Sequence, residues 1–172
     1  MRLPFRRILC PTDLSPIGNS ALAVAYAIAD AGTTVHLLHV CPPPELAALA
    51  YGQWAPAFLP TPEERRAAEE GLRSQLLRLV PVESIEEGVR TEVHVEHGFP
   101  VADSIERAAR AHAVDVVVMG THGHTGIGRV VLGSVAADVM RRKGLSVLLV
   151  HDDRVVHPPP LAEPKSRTAA TP

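Results

Sequence analysis

A chain of 172 residues with 46% hydrophobic and 21% charged side chains, 12 glycines and 16 prolines has the make-up of one globular domain with its own core. It excludes a disordered polymer, a collagenous repeat and a small disulfide scaffold. Aromatics are only 3% and the formal charge is -2, so a base-stacking surface is hard to assemble and no global field draws polyanions; nucleic acid is not an expected partner.

Two cysteines, Cys10 and Cys41, are too few for a disulfide framework and fit a reducing compartment. Behind the basic start, Ile8-Leu9-Cys10 is too short an apolar stretch for a signal peptide, and no run approaches the ~18 residues of a membrane span. The expectation is a cytoplasmic protein that does not engage membranes.

Short β-branched runs alternate with stretches of helical period, as in an α/β domain with a parallel sheet. The first strand is expected from Arg7 to Cys10. Ser15-Pro16 then caps a helix on which Ile17, Ala21, Val24, Ala25, Ile28 and Ala29 recur at helical spacing. A second strand runs from Thr34 to Val40. The segment Cys41 to Pro60, with five prolines and Tyr51, Trp54 and Phe58, is too long for a bare connector and reads as an insertion or lid.

Thr61-Pro62-Glu63-Glu64 is a capping box opening a helix with Ala68, Leu72, Leu76 and Leu79 on one face, weakened by Gly71. Thr91 to Glu96 alternates, with Val93 and Val95 on one face and Glu92, His94 and Glu96 on the other, which suits an edge strand. A helix from Pro100 to His112 and a strand from Val114 to Gly120, continuously apolar over Val116-Val117-Val118-Met119, follow. The last helix begins at Ser134 and ends in Arg141-Arg142-Lys143, where cations suit the macrodipole, before Gly144 and a final strand, Leu145 to Val150. Residues 1–151 form the expected domain and residues 152–172 a disordered tail. His36, His39, His94, His97 and His112 fall on these elements as packing or surface residues, and no metal site is assigned.

The most specific segment is Met119-Gly120-Thr121-His122-Gly123-His124-Thr125-Gly126-Ile127-Gly128-Arg129-Val130-Val131-Leu132-Gly133-Ser134, which leaves a buried strand and enters a helix. Its glycines let main-chain amides approach a ligand closely. At a helix start an anion gains up to about 2 kcal/mol, so a phosphate chain can be held without a lysine. An ordinary glycine-rich turn with an N-cap is the alternative. Two common fingerprints fail: Arg129-Val130 stands where a P-loop needs Lys and Ser/Thr, and Val131 stands where the dinucleotide motif needs its third glycine.

Gly120-x2-Gly123-x9-Gly133-Ser134, after a Val-Val-Val-Met strand, resembles the ATP-binding signature of the universal stress protein family. Ile8-Leu9-Cys10-Pro11-Thr12-Asp13-Leu14-Ser15 resembles that family's first strand and loop. The resemblance covers about residues 5 to 151. It implies a five-stranded parallel doubly wound sheet of order 3-2-1-4-5, of the adenine nucleotide alpha hydrolase kind, with helices on both faces and a ligand at the switch point between the first and fourth strands.

It further implies that Pro11, Thr12, Asp13 and Val40 line a nucleoside pocket, that Met119 and Gly120 back the ribose, and that Gly123, Gly133, Ser134 and Val135 hold phosphates. The ligand implied is ATP, with AMP or ADP as alternatives and Mg2+ as a companion. A homodimer through Leu145 to Val150 is also implied. His122 and Arg129 lie where they can meet the phosphates, or solvent.

From Met119 to Val135 there is no carboxylate, whereas phosphoryl transfer ordinarily uses acidic residues to hold magnesium and orient the nucleophile. Asp115 lies about 16 Å away along its strand, and Asp138 lies beyond the phosphates. The reading is a nucleotide-responsive stress regulator with slow or absent turnover. A weak ATPase or phosphotransferase and a nucleotide-independent dimeric scaffold are the alternatives. A phosphoacceptor receiver is disfavoured because Asp13 has no acidic neighbours. A regulatory disulfide between Cys10 and Cys41 is conceivable if their strands are adjacent.

Overall fold

Strands that are apolar on both faces must be covered from both sides. The computed structural model meets that demand with one parallel five-stranded sheet of order β3-β2-β1-β4-β5. It describes residues 5–48, 59–121 and 132–151. In chain order the elements are β1 (Arg7–Pro11), α1 (Pro16–Ala27), β2 (Thr34–Cys41), α2 (Pro44–Ala48), α3 (Pro62–Leu77), α4 (Val82–Glu86), β3 (Arg90–His97), α5 (Val101–Ala111), β4 (Val116–Gly120), α6 (Ser134–Met140) and β5 (Val147–Val150).

The period-2 rule sorts the core into two layers. Ile8 and Cys10 of β1, Val35 and Leu37 of β2 and Val116 and Val118 of β4 face α1 and Leu76 of α3. Leu9, Leu38, Val117 and Met119 face the other way, onto Ile105, Ala108 and Ala109 of α5 and Ala136 and Val139 of α6. Ser15 caps α1, its hydroxyl accepting from the Gly18 amide at 2.9 Å, and Pro16 follows at the first helical position. Thr61 and Glu64 close the expected capping box on α3. β3 lies at the sheet edge, as its alternation predicts.

Several boundaries differ from expectation. β2 extends through Cys41, and α2 occupies part of the segment read as an insertion; its aromatic stretch lies outside the described residues, as does the tail from residue 152. The short helix α4 carries no strong periodic signal in five residues. β4 starts at Val116 because Asp115 turns its carboxylate onto the amides of Arg6 and Arg7, at 2.7 and 2.8 Å, closing the amino end of β1.

α6 stops at Met140, so the three cations stand past its end rather than in its last turn. Arg142 reaches Asp103 and Glu106 of α5 and ties the two helices together. On β2, His36 occupies a buried position facing α5, against His94 and His112. Burial, and then the neighbouring His112, pull its pKa down to about 4, so the ring is neutral near pH 7.

The cysteines are both free. Cys10 stands opposite Leu37 in the register, and Cys41 lies four residues further along β2, about 13 Å away. A disulfide needs Cα atoms within about 7 Å, so the conceivable Cys10–Cys41 link is ruled out by register. Burial pushes the Cys10 thiol up to about 12, whereas Cys41, raised by burial and then by Glu69, is only partly buried. Iodoacetamide applied to the native protein should alkylate Cys41 at least about tenfold faster than Cys10. Mass spectrometry of the digested protein measures this, and equal rates would contradict the packing described.

Candidate functional site

β1 and β4 are neighbours, with Ile8 opposite Val116 and Leu9 opposite Val117, and from this pair the sheet grows outward in both directions. The connections therefore diverge at their carboxyl ends, which is where doubly wound sheets take ligands. Pro11, Thr12 and Asp13 emerge there from β1, and Met119 and Gly120 end β4 beside them.

The turn after β1 is fixed by a dense set of short-range hydrogen bonds. The Leu14 amide donates to the Thr12 hydroxyl at 3.0 Å, and that hydroxyl donates to Asn19 Oδ1 at 2.7 Å. Asp13 Oδ1 accepts from the Ser15 amide at 3.0 Å and from its hydroxyl at 2.5 Å, so the same serine that caps α1 orients the carboxylate. These bonds hold Leu14 at φ 64, a left-handed conformation that costs roughly 1 to 2 kcal/mol in an L-residue.

The turn is also anchored to β2. The Thr12 amide donates to the Leu38 carbonyl at 2.9 Å. His39 Nδ1 lies 2.8 Å from the Thr12 carbonyl oxygen, which only accepts, so this nitrogen carries the proton. The Thr12 side chain is buried and spent on shaping the turn.

On the β4 side, the Thr121 amide donates to the Val150 carbonyl at 3.0 Å, and the Thr121 carbonyl accepts from the Gly133 amide at 2.7 Å. The chain thus leaves and re-enters this point of the sheet through a two-residue clasp. His122, Gly123 and Arg129, three of the expected site residues, fall in the stretch 122–131, outside the described residues. Gly133 and Ser134 sit at the clasp and open α6, whose first-turn amides, like those of any helix, lack intrahelical acceptors. α6 is only about two turns long, so its dipole is modest and peptide N–H groups are the main resource for an anion.

Val40, Met119 and Val135 come together in one apolar cluster on the α5–α6 side, although they are separated widely in sequence. Met119 is buried in it, while Val40 and Val135 are partly exposed at its margin. An apolar wall, an oriented carboxylate and main-chain amides are what a nucleoside phosphate requires. Asp115 is at the far end of the sheet, committed to Arg6 and Arg7, and Asp138 pairs with Arg141. Neither reaches this place.

Sequence reasoning assigned no site role to Gly18, Asn19, His39 and Thr121; the first three position the site from outside the motifs, and Thr121 is an unassigned position within Gly120-x2-Gly123. The signal for Gly18 is its place three residues after a capping serine, where a side chain meets the capping loop.

The sequence profile of the Universal stress protein family matches residues 4–151. Universal stress protein MJ0531 of Methanocaldococcus jannaschii is 31% identical over 148 residues, spanning 85% of this chain and 82% of the relative. The solved structure of protein MJ0577 from the same organism superposes with a TM-score of 0.69 at 26% identity, covering 87% of this chain and 98% of that one. A family member from Arabidopsis thaliana, solved with AMP bound, has a TM-score of 0.53 at 17% identity over 91% of this chain and 99% of that one, a likeness of fold alone.

A Cβ added at Gly18 would lie 2.2 Å from Asp13 Oδ1, whereas one added at Gly71 meets nothing within 4 Å. Alanine favours a helix interior over glycine by about 1 kcal/mol. Gly71→Ala should therefore stabilise the protein by about 0.5 to 1 kcal/mol. Gly18→Ala should destabilise it despite the same propensity gain, because Asp13 must leave its Ser15 donors. Urea denaturation of both variants checks the opposite signs; two stabilising substitutions would remove Gly18 as a determinant of the turn.

Proposed function

The chain belongs to the universal stress protein family, and from that premise we propose that it binds an adenine nucleotide where β1 and β4 end, and that occupancy rather than turnover is its output. The observation that carries this reading is the convergence at one end of the sheet of the oriented Asp13, the Val40–Met119–Val135 wall and the Thr121–Gly133 clasp. ATP is the ligand implied by the resemblance of Gly120-x2-Gly123-x9-Gly133-Ser134 to the family's ATP-binding signature, with AMP and ADP using a subset of the same contacts. The Arabidopsis relative carries AMP, which supports the adenosine half of the assignment.

In this reading Pro11, Thr12, Asp13 and Val40 border the nucleoside, with Thr12 contributing main chain. Met119 and Gly120 back the ribose. Gly123, Gly133, Ser134 and Val135 hold phosphates through amides and one hydroxyl, with His122 and Arg129 adding donors. Mg2+ would be held by the phosphates, because the family resemblance assigns Asp13 to the nucleoside and the loop motif contains no acid. With no acidic residue from Met119 to Val135 and Asp13 assigned to the nucleoside, hydrolysis is slow or absent, and the protein acts as a nucleotide-responsive regulator of a stress response. No described helix is long and apolar enough to cross a membrane, and the cytoplasm is the proposed location.

Equilibrium dialysis should find ATP bound to the purified protein, and denaturation followed by mass spectrometry should identify any adenine nucleotide that co-purifies. The double variant Gly123→Val, Ser134→Ala should lose at least about tenfold in affinity with an unchanged circular dichroism spectrum. Undiminished affinity would move the site elsewhere. Turnover well above a boiled control, abolished by Asp13→Asn, would favour the enzyme reading instead.

β5 is a sheet edge, and Leu148 on it is 37% exposed. An antiparallel pairing of two copies through residues 145–150 covers that edge and is the proposed dimer. Leu148→Arg should convert a dimeric mass in light scattering to a monomeric one, while a monomeric parent protein would end this part of the proposal.

A further inference from the structure

The face of β3 turned toward α5 holds Glu92 and His94, two residues apart and therefore on one side of the strand. His36 of β2 is the register partner of Glu92 and is one diagonal step from His94. His112, the residue that ends α5, closes over the same spot. One donor atom from each of these four side chains lies within 4.8 Å of every other. We propose that His36, Glu92, His94 and His112 form a binding site for one divalent transition-metal ion of the zinc class, at the opposite end of the sheet from the nucleotide site.

The distances support coordination geometry. In a tetrahedral site with metal–nitrogen bonds of about 2.0 to 2.1 Å, donor atoms stand about 3.3 to 3.4 Å apart. Here His36 Nδ1 is 3.2 Å from His94 Nε2 and 3.4 Å from Glu92 Oε2, and His94 Nε2 is 4.0 Å from Glu92 Oε2. The rings of His36 and His94 lie 4.4 and 4.5 Å from that of His112, centroid to centroid. A plain hydrogen-bond account satisfies the His36–His94 contact alone and leaves a third imidazole stacked on the pair. A central cation satisfies all four groups at once, with the widest separation closing by about 1.5 Å through rotation of side chains that are not fully buried.

The donor set narrows the ion. Three imidazoles and one carboxylate suit Zn2+, Co2+, Ni2+ or Cu2+, and suit Mg2+ or Ca2+ poorly, since those prefer oxygen. Four protein ligands leave no open position, so the ion staples β2, β3 and the end of α5 rather than activating a substrate. His36 is buried and Glu92 is 45% exposed, which gives the site a closed floor and an entry on the solvent side. Glu96 lies near His94 and adds negative charge, while Arg7 near His36 and Arg73 near His94 oppose it. The bound Glu92 carboxylate makes the site favourable for a dication despite those arginines.

His36 precedes Val40 by four residues, about 13 Å along β2, so this site and the nucleotide site fail separately. The test uses the full chain stripped with EDTA and then dialysed free of it. Zn2+ should bind at one equivalent per chain by atomic spectroscopy and raise the thermal midpoint by about 5 °C or more. Co2+ should give the intense visible bands of four-coordinate cobalt, bleached by Zn2+.

His94→Ala and His112→Ala, at partly exposed positions, should each weaken binding by about 100-fold or more. The variant His97→Ala, which removes an exposed histidine of β3 that pairs with Glu69 and lies outside the cluster, should bind as the parent does. The proposal is overturned if stoichiometry stays well below one, if the cobalt spectrum is that of a weak six-coordinate ion, or if the His94 and His112 variants retain parental affinity. Loss of Zn2+ binding in the His97 variant alone would place the ion elsewhere.

Discussion

The parallel pairing of β1 with β4 is the constraint on which the remaining structure depends. Both strands are apolar on both faces, so neither can lie at an edge without exposing Leu9 or Val117, and each must have helices above and below. With β1 and β4 adjacent at the centre, right-handed connections send α1 and α3 to one face and α5 and α6 to the other. The chain segments leaving the two central strands therefore part company, and the gap between them is a consequence of burial rather than of any ligand.

What fills that gap is determined locally. Thr12, Asp13, Ser15 and Asn19 bond to one another and to the start of α1, and Leu38 and His39 of β2 tie down the Thr12 main chain, so a turn containing a left-handed leucine is held in place. Each bond is worth only about 1 kcal/mol net, but leaving a buried member unpaired costs about 1 to 3, which makes the network stiff as a unit. The Thr121–Gly133 clasp does the same for the other rim. A ligand at the proposed site would meet groups already oriented, with little ordering of the described rim left to do on binding.

The individual strands, the cover on both their faces and the edge position of β3 were legible because the physical signals are local: Ile8-Leu9 and the Val116–Met119 run are two-sided, β3 alternates, and Ser15 and Thr61 announce their helices, whereas the order of the strands came from the family resemblance. Half of the turn chemistry was legible too, since Ser15-Pro16 implies a capped helix. The contributions of Gly18, His39 and Thr121 were not, because each acts through a contact fixed by the fold: a Cβ that would strike Asp13, an imidazole under Thr12, a carbonyl meeting Gly133. The ends of α6 and β4 were misplaced for a related reason. Arg142 and Asp115 are engaged by α5 and by the amides of β1, and these tertiary partners override what the adjacent sequence suggests.

The histidines show the same limit from another side. His36, His94 and His112 were read singly, and singly each is an ordinary packing or surface residue. Register places the first two on adjacent strands, and the length of α5 returns the third to them. An apolar trio would pack this end of the α5 layer without any polar groups to satisfy, as Leu38 and Ile105 do further along. Three imidazoles and a carboxylate are worse filler, because burial penalises the charged forms of His36 and His94 and the hydrogen-bonding capacity of the four groups exceeds what they can offer one another. Their juxtaposition makes sense energetically when something cationic and electrophilic completes it, and the polar face of β3, which looks like an edge strand's concession to water, then has a second use.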